Sequence, residues 1–106
     1  MQSLWTVAEA VAATGGRPES LSDGPLNSIS IDSREIEHDA LFVAIKGDKL
    51  DGHDFVSTAL SAGASAAIVS EAWFAAHGGQ KLIVVPDTLE ALRALGRAAR
   101  ERSKAL

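Results

Sequence analysis

The sequence predicts an α/β fold: one small domain with a largely parallel or mixed sheet and flanking helices. Two observations lead there. Apolar runs of strand length at 40–45, 66–69 and 81–85 alternate with segments whose apolar residues recur at helical spacing. A length of 106 residues suits one hydrophobic core and is too short for two, so residues 1–106 read as a single domain.

Taken in order, Thr6 and Glu9 form a capping box at a helix start. Val7, Ala8, Val11 and Ala12 supply the apolar stripe, and Gly15-Gly16 stops the helix. Residues 17–27 hold two prolines, a glycine and small polar residues and read as a surface loop. Ile29 and Ile31 alternate with Ser28, Ser30 and Asp32, the pattern of a short half-buried strand joining the same sheet.

The run Ala-Leu-Phe-Val-Ala-Ile at 40–45 suits a central strand covered on both faces. After a loop at 46–52, Phe55, Val56, Ala59 and Leu60 form one helical stripe, which Gly63 ends. A second strand at 66–69, a short helix at 71–76 and a third strand at 81–85 follow. Asp87 with Glu90 makes another capping box. In the last helix Leu89, Leu92, Leu95 and Ala99 face one way. Glu90, Arg93, Arg97, Arg100 and Lys104 face the other and read as a solvated surface. Strand following strand through a helix implies right-handed crossovers and a parallel core.

Composition narrows the function. Apolar residues make up 46% of the chain and charged residues 23%, which is globular rather than disordered. The net charge of −4 offers no broad basic surface for nucleic acid. Without cysteine there is no disulfide framework and no thiolate metal site. No apolar run approaches the roughly 20 residues that span a bilayer, and no signal peptide is evident, so a soluble cytoplasmic domain is expected.

Two polar segments flank the 40–45 strand. Asp32-Ser33-Arg34 is explained by turn chemistry alone, with Asp and Ser bonding local amides. It also admits a ligand site in which the Ser33 hydroxyl faces the ligand and Arg34 makes an ion pair or anion contact. The segment Lys46-Gly-Asp-Lys-Leu-Asp-Gly52 follows a strand's carboxyl end, where open α/β sheets bind ligands, though a solvated connection has the same sequence. It is neither a Walker A loop nor a dinucleotide fingerprint. His38, His53 and His77 match no metal-ligand spacing. His53 with Asp54 suits a helix N-terminus, and Trp5, Trp73 and Phe74 suit packing anchors. No nucleophile–base pair is evident, so the residues by themselves support a binding module with no catalytic group and no cofactor of its own.

Several segments in this order resemble the first domain of the Mur ligases, the ATP-dependent enzymes that extend the peptidoglycan stem peptide. They are Leu4-Trp5-Thr6, Ala13-Thr-Gly-Gly16, Asp32-Ser33-Arg34, the run 40–48, Asp51-Gly-His-Asp-Phe-Val56, Gly63-Ala64 and Val85-Pro-Asp-Thr-Leu89. The likeness covers essentially the whole chain and is strongest to the branches adding the third residue and the terminal dipeptide. The Leu-Trp-Thr opening and the 97–104 ending favour the dipeptide branch. That resemblance implies a domain holding the UDP end of UDP-N-acetylmuramoyl-tripeptide. Further domains, absent from this chain, would bind ATP with Mg²⁺ and the incoming D-Ala-D-Ala. The complete ligase would phosphorylate the substrate's terminal carboxylate, and the dipeptide amine would attack the acyl phosphate. Carried over residue by residue, uridine contacts fall on Ile31, Ser33, Gly47, Asp48, Lys49 and Leu50. The candidate site extends to their neighbours Arg34, Lys46, Asp51, Gly52 and His53. One alternative is the sister ligase adding meso-diaminopimelate or lysine. Another is a stand-alone α/β interaction domain without nucleotide binding.

Overall fold

A computed structural model describes residues 5–104, and for 102–104 the backbone only. Leu4 and the Lys104 side chain therefore lie outside the described residues. The chain opens with a two-residue strand, β1 (Trp5–Thr6), and helix α1 (Val7–Thr14). The capping box is present in full: Thr6 Oγ1 accepts the Glu9 N–H at 3.1 Å, and Glu9 accepts the Thr6 N–H at 2.9 Å. Gly15 ends the helix with φ +68°, a left-handed conformation that glycine adopts without a Cβ penalty.

Residues 17–27 are not the loop expected from their prolines. Arg17–Glu19 forms β2, antiparallel to a later strand, and Pro25–Leu26 forms β3, paired with β1. Pro18 fits because β2 lies at the sheet edge, where a missing N–H costs little. Leu26 is fully buried in the core.

Next come β4 (Ser28–Ser30), a 3₁₀ turn (Ser33–Glu35), β5 (Ala40–Val43), a second 3₁₀ turn (Gly52–Phe55) and α2 (Val56–Ala62). They are followed by β6 (Ala66–Ser70), α3 (Glu71–His77), β7 (Leu82–Val85) and α4 (Thr88–Lys104). The main sheet runs β2-β7-β6-β5-β4, with β4 to β7 parallel and β2 antiparallel. Strands are added in one direction, so right-handed crossovers put α2 and α3 on the same face. There they cover Phe42, Ala67, Val69, Leu82 and Val84. Helices α1 and α4 cover Leu41, Val43, Ile68, Ile83 and Val85 on the other. Strands β5 and β7 are buried throughout and β6 nearly so, as continuous apolar runs in a two-sided sheet require.

Five local expectations need correction. In α1 the buried line is Val7 and Ala10 with Val11 packed beside it, whereas Ala8 and Ala12 are exposed. Ile29 and Ile31 are not half-buried: they are 37% and 56% exposed. Edge strand β4 carries Ile29 on the face whose helices lie over the middle of the sheet, and Ile31 lies past the end of the strand. The third strand begins at Leu82, because Lys81 has φ +61° and cannot continue extended pairing. Asp87 caps α4 through the Leu89 and Glu90 amides, at 2.9 and 3.3 Å, but Glu90 pairs with Arg93 at 2.6 Å instead of completing a box. The buried stripe of α4 is Thr88, Ala91 and Leu95 with Leu92 and Ala98 beside it, whereas Leu89 and Ala99 are exposed. The stripe is rotated because Ala91 and Leu95, four apart, take the sheet-facing line. Arg93, Arg97 and Arg100 are solvent-exposed.

Candidate ligand cleft

Parallel pairing brings the carboxyl ends of β4 and β5 side by side, and the segments leaving them enclose a cleft of about 570 Å³. On one wall stands the turn after β4. Ser30 Oγ brackets Asp32, accepting its N–H and donating to its carbonyl, both at 3.0 Å. The Asp32 carboxylate then accepts three Arg34 groups: the backbone N–H at 2.9 Å, Nε at 3.0 Å and Nη2 at 2.9 Å. The Arg34 side-chain and backbone bonds hold the Asp32 carboxyl below its ordinary value, with desolvation a lesser opposing effect. Asp32 raises the Arg34 guanidinium in return. Ser33, held between them and half-buried, has a hydroxyl that no described protein group engages.

The other wall is a tight hairpin, not an open loop. Lys46 bridges Asp51 in antiparallel fashion, and the Gly47 N–H donates to the Leu50 carbonyl at 2.8 Å. Asp48 and Lys49 form its tip. The Gly52 N–H closes the base on the Ile45 carbonyl at 2.9 Å. A Cβ at Gly52 would lie 2.7 Å from the Ile45 nitrogen, so glycine allows this backbone contact. Asp51 accepts the His53 N–H at 3.0 Å and its ring Nδ1 at 2.7 Å. Burial pushes the Asp51 carboxyl up, but the His53 bonds and nearby Lys46 outweigh it and hold the group below its ordinary value.

Seven of the predicted site residues line the cleft: Ile31, Ser33, Arg34, Gly47, Lys49, Leu50 and Gly52. Lys46, Asp48, Asp51 and His53 do not. Asp32 lines it too. Sequence reasoning missed the floor, made by Phe42, Ile45 and Phe55, because apolar residues in or beside a central strand read as core alone. Ile31 and Leu50, 56% and 68% exposed, stand at the opening as two apolar flaps.

His53 lies instead beside a second cleft of about 490 Å³ between α2 and α3, near Trp73. His77 stacks on Trp73 with ring centroids 4.7 Å apart, and His38 is exposed near Asp39. The sheet adds its parallel strands in one direction, so no reversal of strand order makes a crevice. The ligand position arises between neighbouring strand ends.

The first cleft thus combines the Ser33 hydroxyl, the hairpin backbone, an apolar floor and two cations, Arg34 and Lys49. Its lining contains no histidine or cysteine, and its aspartate is already paired with Arg34. Such an arrangement can hold a planar polar ring by neutral hydrogen bonds and apolar cover. It has no base beside Ser33 to make a nucleophile of it.

The family model described as Mur ligase family, catalytic domain, matches residues 25–100. The chain is 33% identical over 97 residues to the UDP-N-acetylmuramoyl-tripeptide–D-alanyl-D-alanine ligase of Bacillus subtilis, covering 92% of this chain and 21% of the relative. It is 37% identical over 94 residues to the UDP-N-acetylmuramoyl-L-alanyl-D-glutamate–2,6-diaminopimelate ligase of Chlorobaculum tepidum, covering 85% and 18%. Among solved structures, MurF from Acinetobacter baumannii superposes with a TM-score of 0.72 at 32% identity, covering 95% of this chain and 22% of that one. The chain therefore spans about a fifth of the length of these relatives.

Proposed function

The chain belongs to the Mur ligase family, and on that premise we propose that it holds the uridine end of the substrate of a peptidoglycan-precursor ligase. One observation carries the reading. At adjacent strand ends Ser33, whose hydroxyl no described group engages, and the hairpin line one cleft with an apolar floor. Uracil presents two carbonyls and a ring N–H, which a hydroxyl and backbone groups can match, while Ile31 and Leu50 cover its faces.

The substrate is then a UDP-N-acetylmuramoyl peptide, and the D-Ala-D-Ala-adding branch is favoured by the Bacillus and Acinetobacter relatives. The diaminopimelate-adding branch is the second reading, supported by the Chlorobaculum relative. Either reaction consumes ATP with Mg²⁺ to activate a carboxylate. Residues 25–100 hold no Walker A loop, so that chemistry belongs to other parts of a complete ligase. No described helix is long and apolar enough to cross a membrane, and the proposed site of action is the cytoplasm.

Calorimetric titration with UDP and with CDP tests this reading. UDP is expected to saturate and CDP to bind more weakly, since cytosine replaces one carbonyl and the ring N–H with an amine and a bare nitrogen. Equal binding of both, or of neither, would remove the uridine assignment.

A further inference from the structure

His53 is a buried histidine whose two ring nitrogens are both engaged. Its Nε2 accepts the Ser70 backbone N–H at 3.0 Å. A backbone amide can only donate, so Nε2 carries the lone pair and the ring proton sits on Nδ1. That proton is donated to Asp51 Oδ1, 2.7 Å away. The same oxygen accepts the His53 backbone N–H, which closes a small ring around the residue.

The two partners belong to different parts of the fold. Asp51 is the base of the cleft hairpin, bridged to Lys46 and followed by Gly52, which rests on Ile45. Ser70 is the last residue of β6, and its hydroxyl caps α3 by accepting the Trp73 N–H at 3.2 Å. The imidazole therefore fastens the hairpin to the end of the next strand, 17 residues further along the chain. The hairpin's other fastenings are its own cross-strand bonds and the Gly52–Ile45 contact, to the extension of β5, and the Asp54 N–H donated to the Asp51 carbonyl at 3.0 Å, to the turn that follows. His53 ties the hairpin base to the neighbouring strand β6.

We infer that His53 is a positioning residue for the cleft rather than a ligand contact. Held in its Nδ1–H form between Asp51 and Ser70, it sets where Lys49 and Leu50 stand above the Phe42 and Phe55 floor. This rests on the uridine-site reading for its functional consequence, but not for its geometry.

Two single variants separate the two bonds. His53→Asn keeps a donor for Asp51 and loses the acceptor for Ser70, whereas His53→Gln keeps an acceptor and loses the donor. The test uses the ¹⁵N-labelled 106-residue chain, with UDP as the probe. Long-range ¹H–¹⁵N spectra of the wild type are expected to show the Nδ1–H tautomer. Both variants are expected to fold, to displace the Gly47 to Gly52 amide resonances, and to lose about 2- to 12-fold in UDP affinity, the range one lost hydrogen bond accounts for. The Asp51→Asn/His53→Asn double variant should lose less than the sum of its singles, since both act through one link. A ring protonated on Nε2 would overturn the proposal. So would variants that lower the melting temperature while the folded protein keeps wild-type affinity and hairpin shifts. Should wild type fail to bind UDP, the uridine reading falls. The latch is then judged on the hairpin resonances alone, displaced in both variants or not.

Discussion

The Asp32 carboxylate grips Arg34 at three nitrogens, its backbone N–H at 2.9 Å, Nε at 3.0 Å and Nη2 at 2.9 Å. A guanidinium held this way is a strut of the turn first. Its role is to stiffen the segment that presents Ser33, and any anion contact must be made with its remaining donor edge. The Arg34 side chain is nevertheless 86% exposed, so the grip is screened by water.

That grip makes the turn pH-dependent in a definite direction. The Asp32 carboxyl is depressed below its ordinary 3.8, so its contribution is present above that pH and is lost as pH falls through the lower folded value. Asp51 is depressed in the same sense and weakens the base of the hairpin over a similar acid range. The side-chain carboxyl carbon resonances of Asp32 and Asp51 are expected to titrate with midpoints below 3.8. A midpoint above 3.8 at either carboxyl would contradict the geometry given for that carboxylate.

Phe42 is fully buried against the α2 and α3 side of the sheet, and it also floors the cleft. Phe42→Ala is expected to cost about 3–5 kcal/mol by chemical denaturation. A domain of ordinary stability, about 5–15 kcal/mol, would be left marginal. A loss under about 1 kcal/mol would mean that β5 is not a core strand.

Gly52 has no positive φ to explain it; what it lacks is room. With a Cβ 2.7 Å from the Ile45 nitrogen and 3.0 Å from its carbonyl oxygen, Gly52→Ala must push backbone apart. The expected cost is about 1–3 kcal/mol, as for other overpacked sites. Displaced amide shifts at 46–51 should accompany it. A silent substitution would mean that the hairpin does not rest on β5.

Much of this architecture is legible in the residues. The apolar run at 40–45 foretells a strand covered on both faces, and Thr6 with Glu9 foretells the helix start atom for atom. What is not legible depends on partners distant in sequence. Arg17-Pro-Glu19 becomes a strand only because β7 presents an edge to it. Ile29 and Ile31 look half-buried until Ile29 is placed on the edge strand and Ile31 just past its end. In the cleft, the turn at Ser33 and the hairpin could be picked out as polar loops flanking one strand. His53, by contrast, looks like any polar residue at a helix start. Its attachment to Ser70 follows from parallel pairing of β5 with β6, which no local pattern carries.

The most direct test of the central claim is a residue-resolved NMR titration with UDP-N-acetylmuramoyl-tripeptide, run on wild type and on Ser33→Ala. The uridine end is expected between the Ser33 turn and the hairpin, so saturable shifts should concentrate at 31–34 and 46–53. Ser33→Ala should keep the folded spectrum while weakening binding by about 0.5–1.5 kcal/mol, the worth of one neutral hydrogen bond. Shifts gathered around Trp73 and His77 in the other cleft, or no saturable response at millimolar ligand, would contradict the account.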